Sequence, residues 1–173
     1  MIIGIDPGTT ETAWVILLDG RPVAHAKEPN AEVLSRLRDQ WTPEWTVVIE
    51  MIASYGMAVG KEVFETCVLI GRMVEAWEAR GGVPWLVYRR DVKLFHCETS
   101  RANDANIRAA LLDRYGPGRA IAVGTKSNPG PCYGIKSDCW SALAVALTAE
   151  NKPLPAALFR EPQQQKELSP QPF

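Results

Sequence analysis

The sequence predicts an α/β domain: a mixed five-stranded sheet whose first three strands form an antiparallel meander and whose later strands run parallel between flanking helices. The meander follows from two turn signals, Asp6-Pro7-Gly8-Thr9-Thr10 and Asp19-Gly20, which join three short apolar runs. The parallel half follows from a strict alternation of β-branched runs with stretches of helical periodicity after residue 30. The domain ends near residue 150, because residues 151–173 hold five of the 13 prolines and the run Gln163-Gln164-Gln165, which cannot sustain a regular element.

Taken in order, Met1–Ile5 is a first strand with Asp6 at its carboxyl end, Thr12–Leu18 a second, and Arg21–Lys27 a third. Val33, Leu34, Leu37 and Trp41 recur at helical spacing over Ala31–Trp41, and Thr46–Ile49 is a β-branched strand that runs into Glu50. Val63, Cys67, Ile70, Val74 and Trp77 step by three and four residues, which predicts a long amphipathic helix over Gly60–Arg80, its apolar face widened by Phe64 and Met73 and its end set by Gly81-Gly82. Val83–Tyr88 reads as a buried strand, Asn103–Tyr115 as a helix stopped by Gly116-Pro117-Gly118, and Ser137–Ala149 as a final apolar helix. Between Arg114 and Ser137 the chain is a long connection with five glycines and three prolines. It carries Arg114, Arg119, Lys126 and Lys136 without one Asp or Glu, so a polyanion can approach there.

At 173 residues and 46% hydrophobic, the chain is one domain with a tail and has the side chains for a real core. Its longest apolar stretch, Ala13–Leu18, is far short of the ~20 residues a membrane span needs, so a soluble cytoplasmic protein is expected. Cys67, Cys97, Cys132 and Cys139 match no zinc-ligand spacing and are too sparse for a secreted scaffold, so they read as reduced thiols. The net charge of −1 excludes a strongly basic coating protein. Removing the three basic and two acidic residues of the tail leaves 16 basic against 18 acidic, so the tail is no basic arm.

An acid at the end of a hydrophobic strand emerges at the rim of the sheet, where open α/β sheets place ligands. Asp6 and Glu50 are both so placed, and Asp138 opens the last helix. Taken singly, Asp6 before Pro-Gly also fits an ordinary turn aspartate and Asp138 also fits a helix cap. Glu50, between Val47-Val48-Ile49 and Met51-Ile52-Ala53, is too costly to bury unpaired. Converged, three carboxylates need a hard cation, and oxygen-only ligation suits Mg²⁺ or Mn²⁺, which points to phosphoryl transfer with two metals.

Gly4-Ile5-Asp6-Pro7-Gly8-Thr9, the strand ending at Glu50, the long helix after it, and Lys136-Ser137-Asp138-Cys139-Trp140-Ser141-Ala142-Leu143-Ala144-Val145-Ala146-Leu147 together resemble the RuvC family of Holliday junction resolvases over about residues 1–149. Ala53-Ser54-Tyr55-Gly56-Met57 and Gly71-Arg72 look more like the phage and prophage branch. The resemblance implies a ribonuclease H-like fold, a homodimer, and Mg²⁺-dependent cutting of a four-way DNA junction, with Mn²⁺ substituting and two ions per site. It makes Asp6, Glu50 and Asp138 the metal ligands and catalytic residues. The family has a further acid three residues beyond Asp138, where this chain has Ser141, one helical turn on and without charge. Lys93 fits the family's lysine after the fifth strand, and Arg101 stands near the family's other basic position, where the stretch reads Arg101-Ala102-Asn103-Asp104. Phosphate contacts are then expected from Lys61, Lys93, Arg101, Lys126 and Lys136, with Tyr55 against unstacked bases at the junction centre and part of the long helix as the dimer seam.

Two other functions share features of this sequence. Actin-like ATPases and sugar kinases also carry a Gly-Ile-Asp-x-Gly-Thr-Thr loop, which Gly4–Thr10 fits apart from Pro7, but they need two lobes with a phosphate loop in each. The serine at 141 also fits a protein that binds junctions and cuts them weakly or not at all.

Overall fold

A computed structural model describes residues 1–150; the Pro/Gln-rich segment expected as a tail lies outside the described residues. Five strands, β1 (Ile2–Pro7), β2 (Glu11–Leu18), β3 (Arg21–Pro29), β4 (Thr46–Met51) and β5 (Trp85–Tyr88), form one sheet in the order β3-β2-β1-β4-β5. The pairs β1–β2 and β2–β3 are antiparallel, whereas β1–β4 and β4–β5 are parallel. The meander and the parallel half are therefore both present. Asp19 and Gly20 each take positive φ (49° and 73°), as the tight hairpin between β2 and β3 requires.

Among the described residues six α-helices flank the sheet: α1 (Asn30–Ser35), α2 (Lys61–Glu78), α3 (Arg89–Cys97), α4 (Asp104–Tyr115), the single turn α5 (Arg119–Ala122) and α6 (Cys139–Glu150). Alternation along β1 and β4 separates two cores. Ile3, Ile5, Val47 and Ile49 point to the side of α1 and α2, where Trp14, Leu37, Met73 and Trp77 complete the packing. Val48 points the other way, into a core filled by α6 with Val92, Ile107 and Leu111 from α3 and α4.

Several element boundaries differ from expectation. The helix expected over Ala31–Trp41 gives way after Ser35 to a π-helical stretch, Arg36–Gln40. The extra residue per turn is anchored from outside, since Arg80 donates to the backbone oxygens of Leu37 and Trp41. The strand expected from Val83 begins only at Trp85, after Gly82, which lies tightly under the Trp77 ring. Helix α3 was not expected, because its opening Arg89-Arg90-Asp91 reads as a charged strand end and Val92 is its one buried residue. The Gly/Pro-rich connection holds α5, and Gly124 bridges to Pro129. The buried side of α2 is rotated from the expected stripe. Thr66, Leu69, Ile70, Met73, Ala76 and Trp77 are buried, whereas Phe64 is 61% and Val68 66% exposed.

Candidate active site

Because β1 and β4 are parallel and in register, Ile5 opposite Ile49, their carboxyl ends reach the same rim of the sheet. Asp6 and Glu50 follow those two residues and, by alternation, face α6. Gly4 lies on the same face and lets α6 approach: a Cβ there would stand 2.2 Å from the Ala142 carbonyl oxygen and 2.7 Å from the Ala146 Cβ. The start of α6 is thereby brought onto the end of β1. Ser137, at φ 42°, turns the chain into α6 in a conformation that an L-residue adopts at a cost of about 1 kcal/mol. From Cys139 to Ala149 every α6 residue but Ser141 is buried, so Ser141 is where this helix opens to solvent.

A cleft of about 540 Å³ gathers Asp6, Glu50, Asp138 and Ser141 with Tyr55, Arg89, Lys93 and Asp104. Burial first, and the neighbouring Glu50 charge second, push the Asp6 carboxyl up to about 8, with Arg89 partly opposing them. Burial also raises Glu50, which is 8% exposed, again against the pull of Arg89. Arg89 and Lys93 are the cations of the cleft, and Arg89 is the one paired with its acids. Arg89 is held from two sides. It donates to Glu50 Oε1 at 3.3 Å and to Asp104 Oδ1, and these two acids more than offset the burial that works against its charge. Asp138 is turned outward, accepting from Lys27 Nζ at 2.8 Å, and Glu11 lies 3.6 Å from the same amine.

The donor set fits a hard divalent cation. Burial raises both carboxyls above their ordinary range and Arg89 only partly opposes it, and an oxygen-only pair of this kind suits a hard divalent cation. Among the described residues no three acidic, histidine or cysteine side chains converge at ligating distance, since Asp138 is paired with Lys27. All four cysteines are free; burial pushes Cys132 up to about 11, and burial first, then the neighbouring Asp138 and Asp6 charges, raise Cys139, so both stay protonated thiols.

The other expected contacts divide. Tyr55 and Lys93 line the cleft, Tyr55 from the connection after β4 and Lys93 from α3. Lys136 lines a neighbouring pocket. Lys61 pairs instead with Glu65 at 3.1 Å on the first turn of α2, and Arg101 and Lys126 are exposed outside the cleft. The arginine that lines this rim is Arg89, and the position three residues after Arg101 is the acid Asp104, which Arg89 pairs with. Arg89 follows β5, the parallel neighbour of β4, so the strand-end rule that selects Asp6 and Glu50 selects it too. Asp104 carried no such signal; Asn103 caps α4 in a reciprocal pair with Asn106 and thereby sets Asp104 at the mouth.

No protein-family model matches the chain, and no curated protein does. Solved structures do. RuvC of Thermus thermophilus superposes with a TM-score of 0.57 at 19% identity, covering 85% of this chain and 91% of that one. The fold is that of RuvC. T. thermophilus RuvC in complex with Holliday junction substrate superposes with a TM-score of 0.54, also at 19% identity, over 85% of this chain and 90% of that one. The RuvC-like, ribonuclease H-like architecture expected from the sequence is thus present, in a chain whose likeness to those structures lies in fold more than in residues. None of its described helices is long and apolar enough to cross a membrane.

Proposed function

We propose that this chain is a divalent-metal-dependent endonuclease that resolves four-way or otherwise branched DNA. The observation that carries the reading is the meeting of Asp6 and Glu50 at one rim of a RuvC-like sheet, facing Asp138 and Ser141 at the open start of α6. Asp6, Glu50 and, once free of Lys27, Asp138 would hold the ions, Mg²⁺ or Mn²⁺, and two per site is part of the proposal. Divalent ions there would neutralise charge on the phosphate and make water nucleophilic near neutral pH.

The chain's own groups do the rest. Glu50 and Asp6 are fixed by the strands, so their oxygens do not have to be ordered at the moment of reaction. Arg89 and Lys93 line the cleft and would hold non-bridging phosphate oxygens, with Asp104 keeping Arg89 at the rim. Tyr55, 56% exposed beside Gly56, offers a ring for an unstacked base. Lys61, Arg101 and Lys126 remain proposed contacts to more distant phosphates, where shape more than sequence sets recognition. A homodimer belongs to the proposal: Phe64 and Val68 stand exposed on one side of α2. If they form the seam, Val68→Asp turns a dimer into a monomer in sedimentation; an unchanged mass puts the seam elsewhere. Membership of the phage and prophage branch and a cytoplasmic location are proposed on the same footing, from Ala53–Met57 and from the DNA substrate.

A second reading, junction binding with little cutting, is favoured by Ser141 and by the hold of Lys27 on Asp138. The ATPase reading finds one sheet and no second lobe among the described residues. Incubating a labelled four-way junction and a linear duplex with Mg²⁺, Mn²⁺ or EDTA separates them. The nuclease reading expects paired nicks in the junction with metal only, and a loss of at least about a thousandfold in Asp6→Asn. Tight binding without nicking in any metal would leave the binding reading.

A further inference from the structure

We propose that a basic pocket beside the carboxylate cleft is a second nucleic-acid subsite, which grips the sugar-phosphate backbone of the strand whose phosphate lies at Asp6 and Glu50. The pocket, about 710 Å³, is lined by Arg108 from α4, Arg119 from α5, and Tyr133, Lys136 and Ser137 from the connection into α6, with no acidic residue in its lining. The assignment rests on reading the chain as a DNA-processing protein and says where its substrate runs.

Three observations carry it. The cations are uncommitted: among the described residues Arg108, Arg119 and Lys136 enter none of the ion pairs, which engage Lys27, Arg36, Lys61, Arg89 and Arg114. Arg108 lies over the Trp140 ring, its guanidinium carbon 5.0 Å from the centroid, a contact that leaves its N–H groups for an acceptor. The pocket also adjoins the cleft. A space of about 360 Å³ lined by Arg89, Asp104, Arg108, Ser137, Asp138 and Ser141 shares walls with both. A polymer with regularly repeated phosphates can use neighbouring sites of this kind; an isolated anion does not.

The wall is built rather than loose. Cys132 and Ile135 are buried in the α6-side core, which turns Tyr133 and Lys136 outward. Cys132 N–H donates to the Ala122 carbonyl at 2.8 Å and Gly130 N–H to the Val123 carbonyl at 2.9 Å, and a Cβ on Gly130 would stand 2.2 Å from the Ile121 carbonyl oxygen. The connection is thereby clamped onto α5, next to Arg119. Tyr133, 42% exposed among three cations, supplies a stacking face for a base while the cations take phosphates.

Binding of a fluorescent four-way junction in EDTA, titrated with salt, tests this without reference to cutting. Arg119 and Lys136 are exposed and unpaired among the described residues, so Arg119→Ala/Lys136→Ala should melt like the parent. It should bind at least about tenfold more weakly near ~0.1 M salt, with a log–log salt slope shallower by ~1.8, two phosphate contacts' worth. Tyr133→Ala should weaken binding about fivefold or more with the slope unchanged. Arg38→Ala, on the far side of the sheet, should change neither. A parent slope in the double variant overturns the subsite, as does a mononucleotide that binds the parent as tightly as the junction. A parent that binds no DNA at all overturns the function on which the subsite rests.

Discussion

The two faces of the sheet are packed by opposite means. On the α6 face the contact is made by small residues, Gly4 against Ala142 and Ala146, and the helix lies almost on the strand. On the α2 face the spacing is filled by Trp14, Trp41, Trp77 and Met73, with Trp14 and Trp41 meeting edge to face at 5.5 Å. A small-residue contact leaves little room for adjustment, whereas large rings and a π-helical stretch absorb mismatch. The carboxylates lie on the tight face. The lesson is that Asp6, Asp138 and Ser141 owe their proximity to a glycine that carries no chemistry.

Two glycine substitutions break that contrast in opposite directions. Gly4→Val forces a side chain into the backbone of α6 and should cost ~3 kcal/mol or more, read as a lower urea midpoint. By moving Asp138 and Ser141 it should also remove metal-dependent activity in whatever folded protein remains. A cost below about 1 kcal/mol would mean that α6 does not sit where its Ala142 carbonyl is placed.

An intermediate effect follows from the acid pair. In the folded chain Asp6 lies at about 8 against an ordinary 3.8, so between these values the native state holds a proton that the unfolded state has released. Stability in EDTA should therefore fall as pH rises through that window and level off above it; Glu50, raised for the same reason, adds to the fall. Asp6→Asn should flatten the slope. Melting curves from about pH 5 to 8.5 check the sign, and a parent more stable at the alkaline end contradicts it.

The smallest effect belongs to the α2 face. Gly71 has nothing within 4 Å of an added Cβ, so Gly71→Ala should stabilise an isolated chain by ~0.5–1 kcal/mol through helix propensity alone. Gly71 lies one turn from exposed Val68, so a destabilisation there, dependent on protein concentration, would instead mark the seam of a dimer.

How much of this was legible in the sequence depended on which signal each residue gave. β1 and β4 announce themselves as short apolar runs, and the acids at their ends could be named because a strand fixes where the next side chain emerges. Arg89 obeyed the same rule and was missed, since a charged Arg89-Arg90-Asp91 cluster looks like a solvated end until β5 is known to lie beside β4. Periodicity found α2 and, in Ile70, Met73 and Trp77, part of its buried side, but not Thr66, Leu69 or Ala76. Thr66 turns inward by donating to the Glu62 carbonyl at 2.8 Å while Phe64 and Val68 turn out, and composition cannot state that preference. The Lys27–Asp138 pair joins β3 to the residue just before α6, a contact that only the sheet order creates.

The claim that Asp6 and Glu50 await a divalent cation is tested most directly by melting the parent and Asp6→Asn at pH 8 in EDTA and in saturating Mn²⁺. The account predicts that Mn²⁺ raises the parent's Tm by roughly 5–10 °C at a hundredfold excess over Kd, while Asp6→Asn, already relieved of the repulsion, melts higher in EDTA and gains little from the metal. An equal Mn²⁺ shift in both proteins, or none in the parent, would contradict it.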